Sequence, residues 1–178
     1  MGEMVLILGG ARSGKTRLAE RLAAESGPVT YVATALRDPG DPAMTARIDR
    51  HRSGRPEGWA TVEMARDLEA ALPGLTDRGG SVVIDCVTLW LTNLMLGLGG
   101  GPEMDDPAIL EAVERAGEAS ANGSARAIWV SNEVGSGIVP ENAMARRFAD
   151  LQGWANQRLA ARADAVHLSV AGLSIRLK

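Results

Sequence analysis

Short apolar runs alternate with longer amphipathic stretches along the whole chain. MVLIL (4–8) has no polar position and reads as a strand buried on both faces, leading into the turn GGARSGK. In KTRLAERLAAES (15–26), Leu18 and Leu22, like Ala19 and Ala23, stand four residues apart, which predicts a helix with one apolar face. VTYVATA (29–35), rich in β-branched residues, predicts a second strand. DPAMTARIDRHR (41–52) opens with Asp41 as N-cap and Pro42 in the first helical position and stops at Gly54, a helix with both of its signals. A short strand at WATVE (59–63), a helix at ARDLEAAL (65–72), the apolar strand SVVIDC (81–86) and a helical VTLWLTNLML (87–96) follow. LGLGGGPEMDDP (96–107) reads as an exposed, mobile connection. A helix at AILEAVERAGEASA (108–121), a strand at ARAIWVSNEV (125–134), a long helix within 141–163 and a strand at ADAVHLSVAG (163–172) complete the pattern, with LSIRLK (173–178) as a last edge strand.

Near-continuous apolar strands separated by helices predict an α/β fold: a mostly parallel sheet with helices on both faces. In such sheets ligands bind beyond the carboxyl ends of the strands. The loops after residues 8, 35 and 85 would then share one rim. With 178 residues, no internal repeat and no linker, residues 1–178 read as a single domain.

Composition narrows the function. Apolar residues are 46% and charged residues 23%, a globular balance, and the net charge of −3 argues against non-specific nucleic-acid binding. A single cysteine, Cys86, excludes an internal disulfide framework and fits a reducing cytoplasm. The N-terminal apolar run is too short for a signal peptide, and no stretch has the length of a membrane span.

The candidate chemistry begins at GGARSGKT (9–16), which matches G-x-x-x-x-G-K-[ST] between a predicted strand and a predicted helix. Gly9, Gly10 and Gly14 let backbone N–H groups turn toward phosphate oxygens, with Ala11, Arg12 and Ser13 between them. Lys15 reaches the β- and γ-phosphates and the Thr16 hydroxyl can ligate Mg2+. Asp85, at the end of the apolar strand SVVIDC, supplies a second metal-holding group opposite Thr16. No N-K-x-D base-reading motif is present, which counts against a switch GTPase.

The stretch ARIDRHRSGRP (46–56) holds His51, one of two histidines, among Arg47, Arg50, Arg52 and Arg55. On the helix from Pro42, Met44, Ile48 and His51 fall on one stripe, the face turned toward the protein body. Cations at a helix C-terminus complement the dipole, so a solvated helix end is one reading. The other is an anion site, since clustered arginines repel one another unless a phosphate gathers them, and their charge keeps the imidazole neutral and nucleophilic. His167, in AVHLSV, reads as structural.

Together GGARSGKT, YVATA, ARIDRHRSGRP, the VVIDCVTLWLTNLM block and SNEVGSGIVPENAMARRFADLQGWANQRLA resemble the bifunctional adenosylcobinamide kinase/adenosylcobinamide-phosphate guanylyltransferases of cobalamin biosynthesis, in order over nearly the whole chain. The resemblance implies two reactions. ATP or GTP phosphorylates the aminopropanol hydroxyl of adenosylcobinamide; GTP then guanylylates a histidine, and the GMP passes to adenosylcobinamide phosphate to give adenosylcobinamide-GDP. The histidine preceding R-x-x-R-P is the one that carries GMP, here His51. Implied nucleotide contacts are Gly9 to Thr16, the turn Thr34, Ala35 and Leu36, the stretch His51, Arg52, Ser53 and Gly54, and Glu63 and Asp85. The implied fold is a RecA-like P-loop domain assembled as a homotrimer with active sites near subunit interfaces. Thr16 stands where many members carry serine, which keeps the hydroxyl, and Arg50 matches no fixed position. From the residues alone, a P-loop kinase of another small metabolite and a regulatory P-loop ATPase remain as alternatives.

Overall fold

The computed structural model describes residues 2–37 and 40–178; Met1, Asp38 and Pro39 lie outside the described residues, as does the side chain of Arg47. Seven strands form one sheet: β1 (Met4–Gly9), β2 (Val29–Ala33), β3 (Ala60–Glu63), β4 (Ser81–Asp85), β5 (Arg126–Asn132), β6 (Ala165–Val170) and β7 (Leu173–Arg176). Their spatial order is β3-β2-β4-β5-β1-β6-β7. The first six run parallel, and β7 turns back antiparallel to β6.

Helices cover both faces, as the apolar strands require. Met4, Leu6, Val82, Ile84 and Trp129 point into a core closed by α3 (Leu68–Thr76), α4 (Val87–Met95), α5 (Asp106–Asn122) and α6 (Ala143–Arg162). Val5, Ile7, Tyr31, Val83 and Val130 point the other way, against Leu18, Ala19 and Ala23 of α1 (Lys15–Ala23). The period-2 alternation of the five inner strands, β2, β4, β5, β1 and β6, therefore serves two cores at once, while the edge strands β3 and β7 enter neither. The remaining helix, α2 (Pro42–Ser53), contributes nothing to either: every described side chain on it is exposed or half-buried. Asp41 caps it as expected, its carboxylate accepting the Met44 N–H at 2.9 Å. Among the described residues no helix is long and apolar enough to cross a membrane.

Two local expectations change. Helix α3 starts at Leu68 rather than Ala65, because Asp67 adopts a left-handed conformation (φ 53) and the Ala65 carbonyl is taken by the Asn93 amide at 3.0 Å. The glycine-rich connection 96–107 is not a loose tether. The Arg66 guanidinium gathers the carbonyls of Asn93 (2.8 Å), Leu98 (3.2 Å) and Pro102 (2.9 Å). Its last residues already belong to α5, whose N-cap Asp105 accepts the Ala108 N–H at 2.9 Å.

Candidate active site

Strand register brings the chemistry-bearing residues to one rim. Ala33 is level with both Glu63 and Asp85, Asp85 with Val130, and Gly9 with Asn132. The carboxyl ends of β3, β2, β4, β5 and β1 thus form a continuous edge, where an open α/β sheet binds ligands.

At Gly9 the chain leaves β1 with φ 154, and a Cβ there would lie 2.4 Å from the Ser169 carbonyl oxygen and 2.7 Å from Ser13 Oγ. At Gly14 a φ of 100 turns the loop into α1, and no side chain caps that helix. Its first N–H groups therefore stay open to an anion, the condition for phosphate binding at a helix start. The loop is braced from behind: the Gly172 N–H, in the β6–β7 turn, donates to the Ser13 carbonyl at 2.8 Å, and the Glu133 N–H to the Gly9 carbonyl at 3.0 Å. Lys15, 7% exposed, donates its ammonium to the carbonyls of Gly9 (2.9 Å) and Gly10 (2.7 Å).

The Thr16 hydroxyl donates to Asp85 Oδ2 at 3.2 Å, joining the two residues expected to share a cation. The Tyr31 hydroxyl donates to the same oxygen. Burial first, then the Asp85 charge, raise the Tyr31 pKa far above that of an ordinary phenol, so Tyr31 stays a donor. Loss of hydration, and then Asp85, push the neighbouring Cys86 thiol up to about 12.

Two cavities meet at this rim. The larger, about 750 Å3, runs along the phosphate loop from Ala11 to Arg17 and reaches Asp85, Asn132 and the α2 residues Arg50 and His51. Its volume suits a nucleotide-sized ligand. Among the described residues, Arg12, Lys15, Arg17 and Arg50 face it against one carboxylate, that of Asp85, so positive potential is focused here within an acidic chain. The smaller, about 70 Å3, is lined by apolar Ala33, Ala35, Met44, Ile48 and Leu89, with Glu63, Arg52 and Arg55 at hand. His51 lines both.

The stripe Met44, Ile48, His51 therefore faces inward as the spacing implies. The arginine nest takes a different form. Successive helical residues are turned by about 100° from each other, so Arg50 and Arg52 diverge on either side of His51. Arg50 faces the phosphate-loop cavity, while Arg52 lies 3.7 Å from Glu63. Arg55 stacks 3.6 Å above the Tyr31 ring and donates to Thr61 Oγ1 at 3.1 Å. Among the described side chains, Arg52 and Arg55 thus sit at the smaller cavity, held by carboxylate, hydroxyl and ring partners, while Arg50 faces the larger one.

Other expected contacts are placed unevenly. Thr34 is fully buried; its hydroxyl donates to the Cys86 carbonyl at 2.8 Å and accepts the Cys86 N–H at 2.7 Å, so it braces the rim from within. Ala35 lines the smaller cavity. Leu36, Ser53 and Gly54 line neither, and Ser53 donates to the Arg50 carbonyl at the end of α2. His167 lies on β6 away from both cavities, its pKa lowered by burial and by Arg176. Tyr31, Arg17 and Asn132 received no role from the sequence and enter the site through packing. The one available hint was that Tyr31, the only tyrosine in the chain, sits on a strand of otherwise small and β-branched residues.

Solved structures share the architecture. An ATPase of a bacterial type III secretion system superposes with a TM-score of 0.60 at 14% identity, covering 99% of this chain and 57% of that one. The assembled ATPase EscN of the enteropathogenic E. coli type III secretion system gives 0.57 at 13% identity, covering 94% of this chain and 42% of that one. At such identities the likeness concerns the fold, which is that of RecA-like P-loop ATPases. Sequence relatives are much nearer. The bifunctional adenosylcobalamin biosynthesis protein CobP of Pseudomonas aeruginosa is 47% identical over 175 residues, 97% of this chain and 96% of that protein. CobU of Salmonella typhimurium is 41% identical over 182 residues, 98% and 99% of the two chains. The family model described as cobinamide kinase / cobinamide phosphate guanyltransferase matches residues 5–177. With that match over almost the whole length, the chain belongs to the cobinamide kinase/cobinamide phosphate guanylyltransferase family of adenosylcobalamin biosynthesis.

Proposed function

We propose that the two family reactions are run from this single rim, with His51 as the residue that carries GMP. The observation behind this reading is that His51 lines both the cationic phosphate-loop cavity and the smaller apolar one. Lys15, the loop amides and the start of α1 hold the triphosphate. Arg12, Arg17 and Arg50 offset its charge, as phosphoryl transfer requires when positioning and electrostatics supply most of the catalysis. The hard oxygen donors of Thr16 and Asp85 fit Mg2+, held by few protein ligands together with phosphate. Bound there, Mg2+ would neutralise charge developing on the phosphates.

In the guanylylation step an imidazole nitrogen of His51 attacks the α-phosphorus of GTP. The new P–N bond forms as the bond to pyrophosphate breaks, and pyrophosphate leaves. A phosphate oxygen of adenosylcobinamide phosphate then displaces the imidazole, giving adenosylcobinamide-GDP and restoring His51. In the kinase step, ATP or GTP seated on the same loop presents its γ-phosphorus to the adenosylcobinamide hydroxyl. The apolar cavity, with Glu63 at its edge, is where this reading seats the nucleotide base or ribose. We take the full 178-residue chain as a single catalytic domain, working in the cytoplasm as a homotrimer.

Incubation with α-32P-GTP and Mg2+ is the test. Wild-type protein should acquire an acid-labile, alkali-stable label that is absent in His51→Ala. Kinase-active wild-type protein that never becomes labelled would sink the assignment of His51.

A further inference from the structure

Tyr31 belongs to no phosphate-loop or acid motif, yet it touches the centre of the site. It is 1% exposed and lies on β2 level with Val83 of β4. Two residues further along β4, on the same face of the sheet, stands Asp85. The tyrosine side chain spans that diagonal, and its hydroxyl donates to Asp85 Oδ2. A buried phenol needs a polar partner, and here the partner is the carboxylate that faces Thr16.

The consequence is directional. Oδ2 receives two donors, Tyr31 from the sheet side and Thr16 from the start of α1. Held by both, the carboxylate has one rotamer fixed and keeps Oδ1 for a cation or its water. Thr16 cannot serve alone as the fixed point, because its oxygen would itself turn to the metal. Tyr31 can, because its ring is buried in the core on the α1 side of the sheet, beside its register partner Val83 on β4, and is capped by Arg55 at 3.6 Å.

We infer that Tyr31 is a positioning residue for divalent-cation binding, its hydroxyl fixing the Asp85 carboxylate without itself touching the metal. This rests on the reading of Thr16 and Asp85 as the metal-holding pair.

The test reads cation affinity directly. Mn2+ binding is followed by electron paramagnetic resonance in the presence of a GTP analogue with an α–β methylene bridge, at fixed analogue saturation. Tyr31→Phe keeps the ring and the stacked Arg55 and removes only the donor. Losing a hydrogen bond to a charged group should weaken Mn2+ binding about tenfold. In turnover, kcat at low Mg2+ should fall by a similar factor with nucleotide KM nearly unchanged, and excess Mg2+ should restore most of it. Asp85→Asn should weaken Mn2+ binding at least as much, and Tyr31→Phe added to Asp85→Asn should cost nothing further, because the hydroxyl acts through the carboxylate. Wild-type Mn2+ affinity in Tyr31→Phe, or losses that multiply in the double variant, would overturn the inference. A variant with lowered thermal stability is decided by the same cycle at a temperature where far-UV circular dichroism shows it folded. The methylene bridge replaces the oxygen whose bond to the α-phosphorus must break, so no GMP transfer occurs with this analogue and the outcome is independent of whether His51 labels.

Discussion

The phosphate loop and the His51 helix serve one site but are built on opposite terms. From Gly9 to Thr16 the chain is wedged into the sheet, with Lys15 buried and the loop braced by the β6–β7 turn and by Glu133. Helix α2 shows no fully buried side chain among its described residues and is tied down by polar contacts: Arg37 with Asp49 at 2.7 Å and Arg52 with Glu63 at 3.7 Å. The difference matches the two tasks. A triphosphate must be met by fixed dipoles, which cost no reorganisation at the moment of reaction. A residue that first accepts a group and then passes it on needs only to reach both partners, and a peripheral helix between two cavities can do that. Substitutions in the first region should act through the fold and disable everything; those in the second should leave the fold intact and act on one reaction.

The largest expected effect is at Gly9→Ala. The added Cβ meets a backbone oxygen at 2.4 Å, which cannot rotate away, at a positive φ that L side chains rarely adopt. Overpacking of this kind costs about 2–3 kcal/mol. Urea unfolding should show a lowered midpoint, and both kinase and guanylyltransferase rates should collapse together. A variant with wild-type stability would mean that the loop is no more constrained than α2.

Next comes Thr34→Val, which keeps the shape but removes the hydroxyl that pairs with both backbone groups of Cys86. The Cys86 carbonyl keeps the Trp90 N–H at 3.2 Å, but the Cys86 N–H is left unpaired, which costs about 1–3 kcal/mol. The same urea titration measures it, and both activities should fall in parallel. A selective loss of guanylylation alone would place Thr34 with α2 instead of the rim.

The contrast also explains what could be read from the sequence. The strands were legible because burial on both faces leaves no polar position in MVLIL or VVI, and the loop because its glycines and Lys15 must stand at fixed local spacing. His51 was legible in direction, since Met44, Ile48 and His51 share a face by helical period alone. The fate of the arginines was not, because Glu63, Thr61 and Tyr31 reach them from other strands. Tyr31 and Asp85 meet only because β2 and β4 are neighbours in a given register, and nothing local to either strand specifies that. Arg66 presents the same problem, gathering carbonyls 27 to 36 residues away. Even the start of α3 was set from a distance, by Asn93 drawing on the Ala65 carbonyl.

The smallest effect on stability, and the sharpest on the comparison, belongs to Arg52→Ala. Arg52 and Glu63 are 60% and 55% exposed, so water screens their pairing and its loss should cost no more than about 0.5 kcal/mol. Thermal unfolding should be nearly unchanged. Yet Arg52 follows His51 directly and lines the smaller cavity with it, where a charge-assisted contact to a bound group is worth more than the exposed pair. The rate of 32P labelling from α-32P-GTP should drop about tenfold, while kinase turnover on cobinamide stays close to wild type. Equal loss in both reactions would show that α2 serves the triphosphate as a whole, and the division between a rigid loop and a group-carrying helix would have to be given up.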